Sequence, residues 1–372
     1  MTKRPRISIF LKIAALNLIF LSFLVGLLEF VFGRWFRNAP TTAVPEIART
    51  AGRSYKFRTF GLTGEDVEVV FERDNDGLRG RSANGDQSVI LVLGGSTGVE
   101  QNVPLSRTWP ETLESLLKTH GHEYDVVNAS VSGHTLFGNQ YSIANWLSKI
   151  SIDPKLVIIY YGHNDAVYTM NGIGPAGRDF SRADWFDIKE HLLRKSAMLM
   201  LYREILGNYQ AIVKGNSHLY AYRPALLPGR SEGLPVYRVP SFLSSARNPS
   251  LAEKAVSNIY DQLKKSYPST PVVFVAQSNP NCRFLSDNEY LSRSGRNDTC
   301  EKLASLHGFV RDYLVKKDDS GILFVPLYLK NPYDRYGASD EIHTNSRGSI
   351  AIANALAPEI LKVLPQLRKE VE

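Results

Sequence analysis

The chain has 372 residues, 43% of them hydrophobic, enough to bury one large α/β core or two smaller ones, which excludes a mainly disordered or low-complexity protein. Its 44 Lys and Arg against 37 Asp and Glu give a formal charge of +7, but six cations and one acid among residues 1–37 carry +5 of it. The remainder is nearly neutral and has no basic stripe interleaved with aromatics, which argues against a nucleic-acid groove.

Residues 1–12 bear Lys3, Arg4, Arg6 and Lys12 and read as a cytoplasmic N-terminus by the positive-inside rule, with Arg34 and Arg37 on the far side reducing the asymmetry. Ile13 to Phe32 is dominated by Leu, Ile, Phe, Val and Ala, and about 20 such residues in a helix reach across a bilayer. The run continues into Arg34-Trp35-Phe36-Arg37 without an obvious small-residue cleavage site, so we read one uncleaved transmembrane helix with the rest of the chain on the extracytoplasmic side. Glu29 is expected to reach the interface. Residues 33–65, with Pro40 and Pro45 and little apolar periodicity, read as a juxtamembrane tether.

The body is expected over residues 66–366. Val67, Val69 and Phe71 alternate with Glu68 and Glu72, a strand pattern closed by Asn75-Asp76-Gly77. Val89 to Leu93 is a short, continuously apolar run, as in a buried parallel strand, and it stops at Gly94-Gly95-Ser96-Thr97. Further strands are expected at 124–127, 156–161, 272–276 and 322–325, with helices at about 107–119, 139–149, 301–316 and 346–363. Such alternation implies βαβ crossovers and a three-layer α/β/α sandwich with a parallel sheet. Residues 167–270 read as an insertion that the sheet does not need. Its apolar stretch from Trp185 to Leu206 suits a helix packed on the core or, as the sharper alternative, a lid or acyl-chain wall over the active site. Cys282 and Cys300, the two cysteines, would lie in an oxidising compartment, where a disulfide could staple the polar, loop-like segment between them; two unpaired thiols are the alternative. Their spacing does not suit zinc.

Four short motifs fall at strand ends, where α/β folds expose reactive groups. Ser96 lies in the Gly-Gly-Ser-Thr turn, which alone would read as an ordinary turn or helix cap. Gly133, in Asn128-Ala129-Ser130-Val131-Ser132-Gly133-His134, leaves its backbone N–H unobstructed. Asn164, in Gly162-His163-Asn164-Asp165, offers a side-chain amide to the same oxygen. In Asp340-Glu341-Ile342-His343 a carboxylate precedes an imidazole by three positions and can orient it as the base for Ser96.

In this order the four motifs resemble blocks I, II, III and V of the SGNH (GDSL-like) hydrolases, over roughly Leu91 to the final helix with the insertion left out. The resemblance implies a flavodoxin-like SGNH fold, Ser96 as nucleophile, Asp340 and His343 completing a triad, and Ser96, Gly133 and Asn164 as oxyanion donors, without cofactor or metal. Gly95 stands where the commonest GDSL form has Asp, which weakens inference about substrate. Among the neighbours, His163 is expected to pack or hydrogen-bond, His134 to be an exposed loop residue, Glu341 to be solvated, Asp165 to hold its loop through backbone N–H groups, and Asn345 or Ser346 to cap the last helix. The expected activity is ester hydrolysis through an acyl-serine on an acylated small molecule, lipid or glycan, possible glycans being those of the cell envelope or exported. O-acyl transfer with the same triad and a non-catalytic glycan- or partner-binding domain are the rivals.

Overall fold

The computed structural model describes residues 5–33, 44–60, 66–80, 88–170, 172, 196–199, 201, 202, 205, 236–238, 249–287, 289–292, 297–319, 321–333, 337, 338 and 342–369. The chain forms two compact units, one from residues 1–39 and 182–219 and the other from residues 40–181 and 220–372.

In the first unit, α1 (Pro5–Phe32) contains an apolar stretch, Phe10–Phe32, long enough to cross a membrane at about 1.5 Å per residue. Most of its large side chains are exposed, from Phe10 to Phe32, with Val25 and Leu28 partly covered. Residues 197–199, 201, 202 and 205 of the same unit are also helical. Met198, Leu201, Tyr202 and Ile205 are exposed, so this part of the apolar stretch is not packed on a core as the sequence suggested. The lid reading has no bearing from these residues, and most of residues 185–206 lie outside the described ones.

In the second unit, β3 (Ser88–Gly94), β4 (Tyr124–Asn128), β5 (Pro154–Tyr161), β7 (Val272–Ala276) and β10 (Ile322–Val325) form a parallel sheet in the order β10-β7-β5-β3-β4. Both faces are buried, so the strands read as near-continuous apolar runs rather than alternating ones, with Asp125 and Asn128 of β4 and the exposed Lys155 of β5 as exceptions. Val89, Leu91 and Leu93 pack with helices α5 (Leu136–Asn145), α6 (Pro249–Ser266) and α7 (Asn297–Lys317). Ile90 and Val92 pack on the other side with α4 (Trp109–Thr119), Leu327 of α8 (Leu327–Lys330) and α9 (Ser346–Lys369). Burying one such leucine or valine contributes roughly 1.5–3 kcal/mol. From β3 the chain goes to β4 on one side and then to β5 on the other, and this reversal opens a crevice at the carboxyl ends of the strands.

Three expectations change. The tether ends sooner: Val44 and Ile47 are buried in the core, α2 (Pro45–Thr50) carries Ile47, and β1 (Arg53–Phe60) pairs antiparallel with β2 (Asp66–Arg73). Ile47 fills the space above Gly77, where an added Cβ would lie 2.2 Å from its Cγ2. The insertion is shorter at its far end, because Ala252, Ala255, Val256, Ile259 and Leu263 make α6 a core helix. The segment between the cysteines is a hairpin rather than a loop, with β8 (Cys282–Ser286) paired to β9 (Glu289–Ser292), and β9 paired in turn to β6 (Val236–Arg238). Phe284 and Tyr290 bury its inner face, and Cys282 is bonded to Cys300.

Candidate active site

β3 runs out at Gly94-Gly95, and Ser96 opens the short helical turn α3 (Ser96–Val99). Each glycine here makes room for another loop. A Cβ on Gly95 would stand 2.5 Å from Asn164 Nδ2 and 3.0 Å from the His134 carbonyl, and one on Gly98 would stand 2.4 Å from Ser130 Oγ. The loop after β4 is tied to this turn by Asn128 Nδ2 donating to the Gly98 carbonyl (2.9 Å) and Val131 N–H donating to the Gly94 carbonyl (3.1 Å). Buried Arg73 reaches it from β2 and donates to the Ser130 carbonyl at 2.9 Å. Gly133 in that loop has φ +75°, a left-handed conformation that other residues adopt at a cost.

The loop after β5 presents Asn164. Its Nδ2 donates to the His134 carbonyl at 2.9 Å, which fixes the amide plane while using one of its two hydrogens. Asp165, buried, accepts from Leu136 N–H at 2.8 Å, clamping the first turn of α5 to this loop. His163 N–H donates to Gln277 Oε1 (3.1 Å), a residue at the end of β7 that the sequence did not single out. His134 is buried, against expectation, with Nδ1 3.3 Å from Ser142 Oγ.

From the other end of the chain, His343 places Nε2 2.8 Å from Ser96 Oγ, a strong hydrogen-bond distance. Ser96, His134, His163, Asn164 and Ile342 line one open cleft. Thus Ser96, Asn164 and His343 come together; Gly133 directly precedes His134 of the cleft wall, and Asp340 and Glu341 lie outside the described residues. Asn345 caps α9, its Oδ1 accepting from Arg347 and Gly348 N–H.

Sequence reasoning missed the group that holds the His343 loop. Glu100, four positions after Ser96, is buried and left-handed (φ +49°). Its carboxylate accepts from Thr344 Oγ1 at 2.6 Å, Trp109 N–H at 2.7 Å and Ser349 Oγ. It therefore joins the turn after Ser96, the start of α4, the residue after His343 and the first turn of α9. Burial pushes its pKa from 4.5 up to about 7, against the lowering effects of those three donors and of Arg79. An acid following a glycine-rich turn carries no local pattern that announces burial; only its partners, far along the chain, reveal the role.

Fold and site together define an α/β protein of the SGNH type, with a serine–histidine pair at the carboxyl edge of its parallel sheet. The chain belongs to the GDSL-like lipase/acylhydrolase family, whose family model matches residues 92–349. It is 33% identical over 78 residues to an arylesterase of Vibrio mimicus, covering 21% of this chain and 38% of that protein. It is 34% identical over 87 residues to the esterase TesA of Pseudomonas aeruginosa, covering 23% and 41%. The matched stretches thus span about two fifths of these relatives. Among solved structures, a lipolytic protein of the G-D-S-L family from Veillonella parvula aligns with a TM-score of 0.39 at 12% identity, over 72% of this chain and 96% of that one.

Proposed function

We propose that the protein hydrolyses ester bonds through an acyl-enzyme on Ser96. The observation that supports it most directly is the 2.8 Å contact between Ser96 Oγ and His343 Nε2 in a cleft that also contains Asn164. Ser96 Oγ attacks the ester carbonyl carbon while its proton passes to His343, and the carbonyl oxygen becomes an oxyanion. The second hydrogen of Asn164 Nδ2 and the backbone N–H groups of Ser96 and Gly133 are the donors assigned to that oxyanion. Collapse breaks the bond to the alcohol, which leaves with the proton from His343; water then attacks the acyl-serine with His343 as base and releases the acid. Asp340 is assigned to orient the imidazole and stabilise its charged form.

In this reading α1 anchors the protein, the body lies outside the cytoplasm, and the substrate is an O-acyl ester, with cell-envelope or exported glycans as the first class to try. The names of the curated relatives, an arylesterase and an esterase, favour water over a sugar hydroxyl as acceptor. The test is hydrolysis of p-nitrophenyl acetate by the full chain in detergent, with Ser96→Ala and His343→Ala as controls. Activity lost in both variants supports the reading; a folded, inactive wild type on this and on acylated glycans would sink it.

A further inference from the structure

Glu29 lies three residues before the end of the Phe10–Phe32 span. A carboxylate at that depth is costly unless hydrogen-bonded. Its oxygens are occupied by the second helical stretch of the same compact unit. Glu29 Oε1 accepts from Ser196 Oγ at 2.5 Å and from Met198 N–H at 3.2 Å, and Oε2 accepts from Ala197 N–H at 2.8 Å. Ser196 Oγ in turn accepts from Leu199 N–H at 3.1 Å. Glu29 and Ser196 therefore cap that helix jointly, and the acid sits where the helix's unsatisfied N–H groups converge.

From this pinned end the described helical residues present Met198, Leu201, Tyr202 and Ile205, spaced i, i+3, i+4 and i+7, within an arc of about 100°. They are 40%, 52%, 61% and 59% exposed, and α1 beside the latch is open too, with Phe30 at 68% and Phe32 at 66%. Leaving such a stripe in water forfeits roughly 25 cal/mol per Å². The sequence places Arg194 and Lys195 just before the cap and Arg34 and Arg37 just after α1, and cations next to a membrane segment are attracted to anionic headgroups.

We propose that the described helical residues 197–199, 201, 202 and 205 belong to a second membrane-seated helix, latched by Glu29 to the interfacial end of α1, with the Met198–Leu201–Tyr202–Ile205 stripe facing the acyl chains of the bilayer. The inference rests on α1 being a retained membrane span. It makes part of the long segment between β5 and α6 a membrane contact, and it gives Glu29 a task that a cleaved signal sequence would not need.

The test uses the full chain in phosphatidylcholine/phosphatidylglycerol vesicles. Cys282 and Cys300 are bonded to each other, so single cysteines at Leu201→Cys, Ile205→Cys and, as an aqueous reference, the 70%-exposed Val315→Cys can carry an environment-sensitive fluorophore. Expected are at least fivefold weaker iodide quenching at 201 and 205 than at 315, and strong quenching there by spin-labelled acyl chains. Adding Glu29→Ala should return both labels to the aqueous pattern, whereas Glu29→Gln, which keeps one acceptor oxygen, should retain part of the protection. Iodide access at 201 and 205 equal to that at 315, or protection unchanged by Glu29→Ala, overturns the proposal. Release of the protein by alkaline carbonate overturns the α1 reading beneath it; retention with aqueous labels overturns this inference alone.

Discussion

The two halves of the candidate site are held by different means. Ser96 and Asn164 each follow a strand of the sheet closely, so the backbone ladder that pairs β3 with β5 also sets the spacing of the two residues. Among the described residues, His343 follows no strand closely and depends on a buried carboxylate and a helix cap: Thr344 bonds Glu100, Ser349 bonds Glu100, and Asn345 caps α9. The difference teaches that strand ends position chemistry through the sheet itself, whereas a loop needs its own polar network, here at the cost of a left-handed, desolvated acid.

The strongest way to break this contrast is to remove one member of the pair from each half. Ser96→Ala and His343→Ala should each lower kcat/KM by about 10⁴-fold or more, and the double variant should be no worse than either, since the two act as a unit. A His343→Ala enzyme with a tenth of wild-type activity would separate the halves. Within the strand-held half, Asn164→Ala should lower kcat by about 10²- to 10³-fold with little change in KM. Outside both halves, replacing Cys282 and Cys300 by Ser removes a staple of sequence separation 18 and should cost about 3 kcal/mol in chemical unfolding while kcat stays as it was.

The network-held half should announce itself through pH. Glu100 has a folded pKa of about 7 against an ordinary 4.5, so the native protein keeps a proton that the unfolded chain releases between those values. Its contribution to stability is complete below about pH 4.5 and is lost as pH rises through 7, by about 3 kcal/mol. Facing it are the donors Thr344, Ser349 and Trp109 N–H and the charge of Arg79, with Tyr160 also coupled to it. Urea unfolding at pH 5 and pH 7.5 measures the drop, and Glu100→Gln should flatten it; an equal drop in that variant would assign the effect elsewhere. The smallest effect expected is also the least intuitive. Gly95→Asp, which restores the residue of the commonest GDSL form, should lower kcat about tenfold, because the new Cβ would stand 2.5 Å from Asn164 Nδ2 and displace the amide. Undiminished kcat would mean that Asn164 tolerates the shift.

Much of the architecture was legible because it is written in contiguous residues. Two apolar runs make the point: Val89 to Leu93 is at most 4% exposed, while most of the large side chains of Phe10–Phe32 are exposed. Their composition is alike, and length separates them, five residues matching a strand and 23 a bilayer. The ends of β3 and β5 and the cap of α9 were likewise readable from turn residues and spacing. β1, the β8–β9 hairpin and α6 were not read as elements, because polar and short apolar segments take their state from partners elsewhere.

What the sequence by itself determined is therefore the class of fold, the family and the residues to watch. Only the tertiary structure decided that Glu100 fastens Ser349 across 249 positions, that His134 is buried, that Ile47 completes the core, and that Glu29 caps a helix 167 positions away. The physical reason is that periodicity and turn chemistry act between near neighbours, whereas a buried charge is tolerated only when chain closure delivers its donors, and no local pattern records where those donors lie.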